Sequence, residues 1–196
     1  MGETRVALSR ELSREPGPIR PSALNTTEME KLRDLQDSHS LTASLAVLLD
    51  NIRSAWNVGS ILRSADGFGF RHAYLCGITP TADNEAVTKT SLGAEDSVPW
   101  SYHKDAVKLV KGLKVEGWKV YALEEDVRAA EIRHAPGATF KSPALQVLIV
   151  GNEVIGVDPE LLDLCDQIFY IPMRGEKKSF NVAIAFGIAA YALSIR

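Results

Sequence analysis

The chain has 196 residues, 45% of them hydrophobic and 24% charged, with a formal charge of -3. That length and apolar share fit one domain with a sizeable core, and exclude a disordered or fibrous chain. The slightly acidic balance excludes a basic field over the whole molecule, but leaves room for a local basic face.

Two cysteines, Cys76 and Cys165, lie far apart in apolar stretches, and no CxxC occurs. They read as small buried hydrophobes rather than ligands or a disulfide. No apolar run reaches the roughly 18 residues of a membrane span, and the first residues lack the apolar core of a signal peptide. A cytoplasmic location is expected.

Residues 1–40 read as an N-terminal arm, charged and proline-containing, with a short amphipathic helix over Thr27–Gln36. Residues 41–196 read as the main domain. Ser44–Asp50 is the first strand. After the loop NIRSAW, Asn57–Asp66 has helical spacing, with Val58, Ile61, Leu62 and Ala65 on one face. Arg71–Gly77 is the second strand. Thr79–Trp100 is polar and irregular, with a helix over Glu85–Ser91. An amphipathic helix over Lys104–Glu116 precedes a third strand, Trp118–Leu123, and the acidic run Glu124-Glu125-Asp126, read as a solvated strand end. Val127–Ser142 is a linker broken by Pro136-Gly137.

The last fifty residues organise the chain. Ala144–Gly151 is an unbroken apolar run, the pattern of a strand buried on both faces. Asp158 caps a short helix from Pro159 to about Cys165. Gln167–Met173 is a further strand, stopped by Pro172. Ser179 is read as the cap of the final helix, which is apolar nearly all round and so expected to be buried. Its small residues, Ala183 to Ala192, allow close packing. Strands alternating with helices argue for an α/β domain with a mostly parallel sheet covered on both faces.

Several sites are missing from the sequence. There is no G-x-G-x-x-G turn, no phosphate-binding lysine loop, no G-x-S-x-G elbow, and the four histidines have no metal spacing. What remains is a set of polar residues at strand ends, where open α/β sheets bind ligands. Asn51, Arg53, Asn57 and Arg63 surround the first strand–helix junction. On spacing alone, Arg63 reads equally as a surface salt-bridge residue, Glu153 as the cap of a neighbouring turn, and Asn181 as an early helix residue.

Three blocks resemble the signature motifs of the SpoU/TrmH group of SPOUT methyltransferases: DNIRSAWNVGSILRSADGFGF (Asp50–Phe70), LIVGNEVIGVDPELLDLCDQIFYIPM (Leu148–Met173) and SFNVAIAFGIAAYAL (Ser179–Leu193). They come in that group's order and spacing. Phe180 departs from it, where leucine is common. The resemblance implies an α/β fold with a C-terminal deep trefoil knot, an exception to ordinary topology. It implies an S-adenosyl-L-methionine site: Val150, Gly151, Asn152 and Glu153 from one strand end, Ile171, Pro172 and Met173 from the next, and Ser179, Phe180, Asn181 and Val182 before the last helix. It also implies a homodimer and an RNA substrate (tRNA or rRNA); with no ligand cluster and no membrane-length run in the sequence, no metal and no membrane are expected.

The implied reaction is methyl transfer to a ribose 2′-hydroxyl. The resemblance puts Arg63 at that hydroxyl, with Asn57, Glu153, Ser179 and Asn181 around it. A guanidinium accepts a proton only if it is first deprotonated, so Arg63 is read as a clamp on a phosphate and the developing alkoxide. In an acidic chain, RNA contact falls to a local set: Arg53, Arg63, Arg174, Lys177 and Lys178. Two alternatives stay open at this point, a non-catalytic RNA-binding or assembly factor of the same fold and a methyltransferase acting on a base.

Overall fold

The computed structural model describes residues 45–134 and 145–194. The expected arm, the helix over Thr27–Gln36 and the Pro136-Gly137 break lie outside those residues.

Strand β1 (Leu45–Asp50) is buried along its whole length. Successive side chains point to opposite faces of a strand. Leu45, Val47 and Leu49 therefore enter one core cluster, and Ala46 and Leu48 the other. Strand β6 (Gln146–Val150) divides in the same way, with Leu148 and Val150 on the first face and Val147 and Ile149 on the second. Each such Leu, Ile or Val contributes about 1.5–3 kcal/mol by leaving water. Two-sided burial is what the unbroken apolar runs encode.

The remaining elements are α1 (Ala55–Gly67), β2 (His72–Cys76), α2 (Glu85–Ser91), α3 (Ala94–Ser97), β3 (Trp100–His103), α4 (Ala106–Val115), β4 (Lys119–Leu123) and β5 (Ala130–Glu131). After β6 come α5 (Pro159–Leu164), β7 (Gln167–Tyr170) and α6 (Val182–Ser194). The sheet order is β3-β2-β1-β6-β4-β7-β5, and every pairing is parallel. Helices α1 and α6 cover the first face through Ile61, Leu62, Phe186 and Ala190. Helices α4 and α5 cover the second through Val110, Leu113 and Leu161.

Some expectations are corrected. Helix α1 starts at Ala55, because the Ser54 side chain accepts the Asn57 amide and caps it there. The stretch after Thr79 holds the expected helix over Glu85–Ser91 as α2, and, beyond expectation, α3 and the start of β3. Edge strand β3 is four residues long and never fully buried, so no apolar run announced it. Within the expected linker, β5 adds two residues to the sheet, followed by a 3-10 turn at Ile132–His134. Strand β7 stops at Tyr170, short of Met173.

The final helix differs most from expectation. Asn181, not Ser179, caps α6: its side chain accepts the Ala183 amide at 2.9 Å and its carbonyl accepts the Ala185 amide at 2.9 Å. Ser179 lies two residues before that cap and bonds neither donor. Nor is α6 buried all round. Phe186, Ala189, Ala190 and Leu193 face the sheet, while Ile184 and Tyr191 are more than half exposed and Ile188 is 37% exposed. An apolar helix has more than one face, and the described part of the chain covers only one of them.

Both cysteines are free. Burial pushes the Cys76 and Cys165 thiols up to about 12. The thiolate is the reactive species, so native protein at neutral pH is expected to take up no iodoacetamide at either sulfur; intact-mass measurement before and after unfolding checks this.

Candidate active site

Strands β4, β6 and β7 end side by side, and a cavity of about 310 Å³ opens over their C-terminal ends. Leu123 and Glu124 line it from β4, Val150, Gly151, Asn152 and Glu153 from β6, and Tyr170, Ile171 and Met173 from β7. Ser179, Phe180, Asn181 and Val182 close it from the entry to α6. The structure thus brings together every residue expected at a cofactor except Pro172, which is not on the cavity wall.

The turn after β6 is set by backbone. Asn152 and Gly156 exchange two backbone hydrogen bonds, of 3.0 and 2.9 Å. Gly156 has a φ of +77°, and a side chain there would meet the Glu124 carboxylate. The Asn152 side chain binds the Asn51 carbonyl at 2.7 Å and accepts the Val154 and Ile155 amides. It is nearly buried, so it holds the turn rather than facing the cavity as a free donor. The Glu124 carboxylate accepts the Val157 amide at 2.9 Å, and Asp126, drawn to about 2 by the Arg128 guanidinium, is ion-paired. Glu124 and Asp126 thus have structural bonds, while Glu125 is exposed as at a solvated strand end.

Glu153 turns outward from this cavity to the start of α1. One carboxylate oxygen accepts the Arg53 amide at 2.9 Å; the other accepts the Ser54 amide at 3.1 Å and the Asn57 side-chain amide at 2.8 Å. The Asn57 oxygen in turn accepts the Asn181 side-chain amide at 3.0 Å. The chain Glu153–Asn57–Asn181 joins one residue from each of the three motif blocks at the cavity mouth. The reading of Glu153 as a cap is also correct, since it caps the loop that opens α1.

Burial raises the Glu153 carboxyl, but the Arg53 amide, the Asn57 side chain and the Ser54 amide outweigh that and hold it below its ordinary 4.5. A lowered value means that the network's contribution is complete above pH 4.5 and is lost as pH falls through the lower, folded value. Amide NMR shifts of Arg53 and Ser54 are expected to stay constant from neutral pH to about 4.5 and to move only below it.

Arg63 lies outside the cavity, exposed on the outer face of α1, with no hydrogen bond or ion pair to any described residue. The salt-bridge reading finds no partner there. Arg53, Arg174, Lys177 and Lys178 are also exposed, and Lys178 reaches the cavity wall. Sequence reasoning missed Leu123, Glu124 and Tyr170. Their place in the site depends on β4 lying between β6 and β7, which no local pattern carries.

Fold and site together define an α/β protein with a cavity of ligand size at the C-terminal edge of a parallel sheet. The family model of the SpoU rRNA Methylase family matches residues 44–191. The chain is 33% identical over 152 residues to a 23S rRNA (guanosine(2553)-2′-O)-methyltransferase, RlmP, of Bacillus subtilis. It is 32% identical over 149 residues to a tRNA (guanosine(18)-2′-O)-methyltransferase of Thermus thermophilus. The alignments take in 78% and 75% of this chain, but 58% of the Bacillus protein and 72% of the Thermus protein. A solved AdoMet-bound rRNA methyltransferase from Sinorhizobium meliloti superposes with a TM-score of 0.71 at 27% identity, covering 81% of this chain and 59% of that one. The chain belongs to the SpoU methylase family. The parallel sheet flanked by helices, expected from the alternation of strands and helices, is the one observed. Among the described residues no helix is long and apolar enough to cross a membrane.

Proposed function

We propose that this protein is an S-adenosyl-L-methionine-dependent RNA methyltransferase acting on a ribose 2′-hydroxyl of tRNA or rRNA. The bridge from Glu153 through Asn57 to Asn181, at the mouth of the cavity, carries the reading: it ties the strand-end pocket to the helix that bears Arg63. The Bacillus and Thermus relatives are named as guanosine 2′-O-methyltransferases, and we take a guanosine as the target.

The cavity suits the cofactor. Leu123, Val150, Ile171, Met173 and Val182 supply apolar wall that suits a purine, and Glu153, Ser179 and Asn181 supply polar wall that suits a charged amino-acid part. When bound, the cofactor supplies a methyl group already activated by a positive sulfur. The protein's share is alignment and charge. Arg63 clamps a phosphate and the alkoxide oxygen, Asn57 and Asn181 orient the ribose, and Glu153 fixes Asn57. The proposal includes the trefoil knot of the SpoU/TrmH group and a cytoplasmic site of action. It also includes a homodimer, supported by the exposed apolar face of α6, where Ile184, Ile188 and Tyr191 lie in line.

The test is methyl transfer from labelled cofactor to RNA, followed by digestion and mass spectrometry. A 2′-O-methylguanosine is expected; a base-methylated nucleoside would redirect the reading, and no product at all would favour a non-catalytic RNA-binding factor. RNA affinity should fall with salt, with a slope of about 0.7 per single-strand phosphate contacted. Replacing both Lys177 and Lys178 with alanine is expected to lower that slope by roughly 1–1.5. A slope equal to the wild type would take both residues out of the interface.

A further inference from the structure

Trp56 is 60% exposed, while Trp100 and Trp118 are half-buried. Its ring pairs with no other aromatic among the described residues. Leaving an indole in water forfeits the burial that such a side chain ordinarily gains. Its backbone is nonetheless held firmly: the Trp56 carbonyl accepts the Ser60 hydroxyl at 2.9 Å and the Thr90 hydroxyl, from α2, at 3.1 Å. A fixed backbone carrying an unpartnered aromatic is the form of a preformed contact surface.

Its neighbours state which kind. Trp56 lies in the first turn of α1, between the Ser54 cap and Asn57, whose side chain binds both Glu153 and Asn181. Trp56, Ser60 and Arg63 follow at i, i+4 and i+7, so they share one face of the helix, with about 10 Å of rise from first to last. Arg53, also exposed, precedes the cap. Trp56 therefore directly precedes Asn57 of the candidate site, with Arg53 three residues before it and Arg63 two turns after it, and neither guanidinium has an acidic partner among the described residues. Single-stranded RNA is recognised in this way, with phosphates on cations and splayed bases stacked on aromatic side chains.

We propose that Trp56 is a stacking platform for a nucleobase of the RNA, that of the nucleotide flanking the methylated ribose. This rests on the methyltransferase reading. Every base has a π-face, so Trp56 contributes affinity and pins the strand without choosing the base.

The experiment titrates a short unstructured guanosine-containing RNA into full-length protein saturated with S-adenosylhomocysteine, with indole emission as readout, alongside steady-state kinetics. RNA is expected to quench the emission of the wild type. Trp56→Phe, which keeps a ring, should lose the quench and keep most of the affinity. Trp56→Ala should raise KM for RNA about five- to a hundredfold, the scale of one base–aromatic stack, with kcat and cofactor affinity near normal. A Trp56→Ala protein with wild-type KM, or a quench that survives in Trp56→Phe, overturns the proposal. So does emission that changes on protein dilution instead of RNA addition, which would put Trp56 against a second copy of the chain. If Trp56→Ala does not fold, the loss or survival of the quench in Trp56→Phe decides alone. Quenching by RNA without any methyl transfer would instead refute the methyltransferase reading and leave the stacking intact.

Discussion

Arg63→Ala is expected to cut methyl transfer by at least 10²–10³-fold, the usual cost of removing one preorganised charge from a transition state. Cofactor affinity and thermal stability should stay close to the wild type. Both expectations follow from where Arg63 lies: on the outer face of α1, exposed, off the cavity wall and bonded to no described residue. Its removal leaves no buried group unpaired and no cavity. Arg63→Lys should restore little, because an ammonium lacks the planar two-point contact that an alkoxide and a phosphate oxygen together require. Isothermal titration with the cofactor and a melting curve, run beside the transfer assay, separate the outcomes. An unfolded Arg63→Ala protein would make the residue structural, and near-normal transfer on native RNA would remove it from the active site.

Gly151→Ala is expected to act in the opposite way, through the fold. A methyl group at that position would strike the backbone of Gly156 and Val157. Backbone in a hydrogen-bonded turn cannot swing aside as a flexible side chain can. Overpacking of this kind costs about 1–3 kcal/mol, occasionally more, which for a domain of this size lowers Tm by roughly 2–12 °C. The turn that moves carries Glu153 and forms a wall of the cavity, so cofactor affinity should fall with stability. A variant that melts and binds cofactor like the wild type would show that the turn tolerates the extra atom and that its tightness is incidental.

How far the sequence disclosed these features depended on their range. The unbroken runs at β1 and β6 stated their two-sided burial openly, since a strand covered on both faces has no polar side to show. The Asp158-Pro159 start of α5 was equally plain, and its cap is observed, with the Asp158 side chain accepting the Glu160 amide. β3 and β5 were invisible: a short, half-buried edge strand needs few apolar residues, and its identity comes from the neighbour it pairs with. The candidate site was legible through the motif blocks, but its geometry was not. Spacing alone left Glu153 undecided between cap and site residue, and the structure has it bind the Arg53 and Ser54 amides while holding Asn57. The entry of Glu124 into the cavity wall required the position of β4 in the sheet. The cap of α6 was misplaced because Ser179 and Asn181 are both good caps, and only three-dimensional reach separates them.

The bonds that assemble the site also have a consequence in time. Arg53 to Glu153 spans 100 residues, Asn57 to Glu153 spans 96, Asn57 to Asn181 spans 124, and Asn152 to Asn51 spans 101. Contacts so distant along the chain must wait for large loops to close, and parallel strands close them slowly. β6 has to take its place between β1 and β4 before Glu153 can meet Asn57, and α6 has to dock before Asn181 can join them. During synthesis, a nascent chain that has not yet delivered Asn181 can hold much of its sheet and still be catalytically silent. In refolding, helical signal and tryptophan burial should recover ahead of methyl transfer, so that the return of activity marks the last step of assembly.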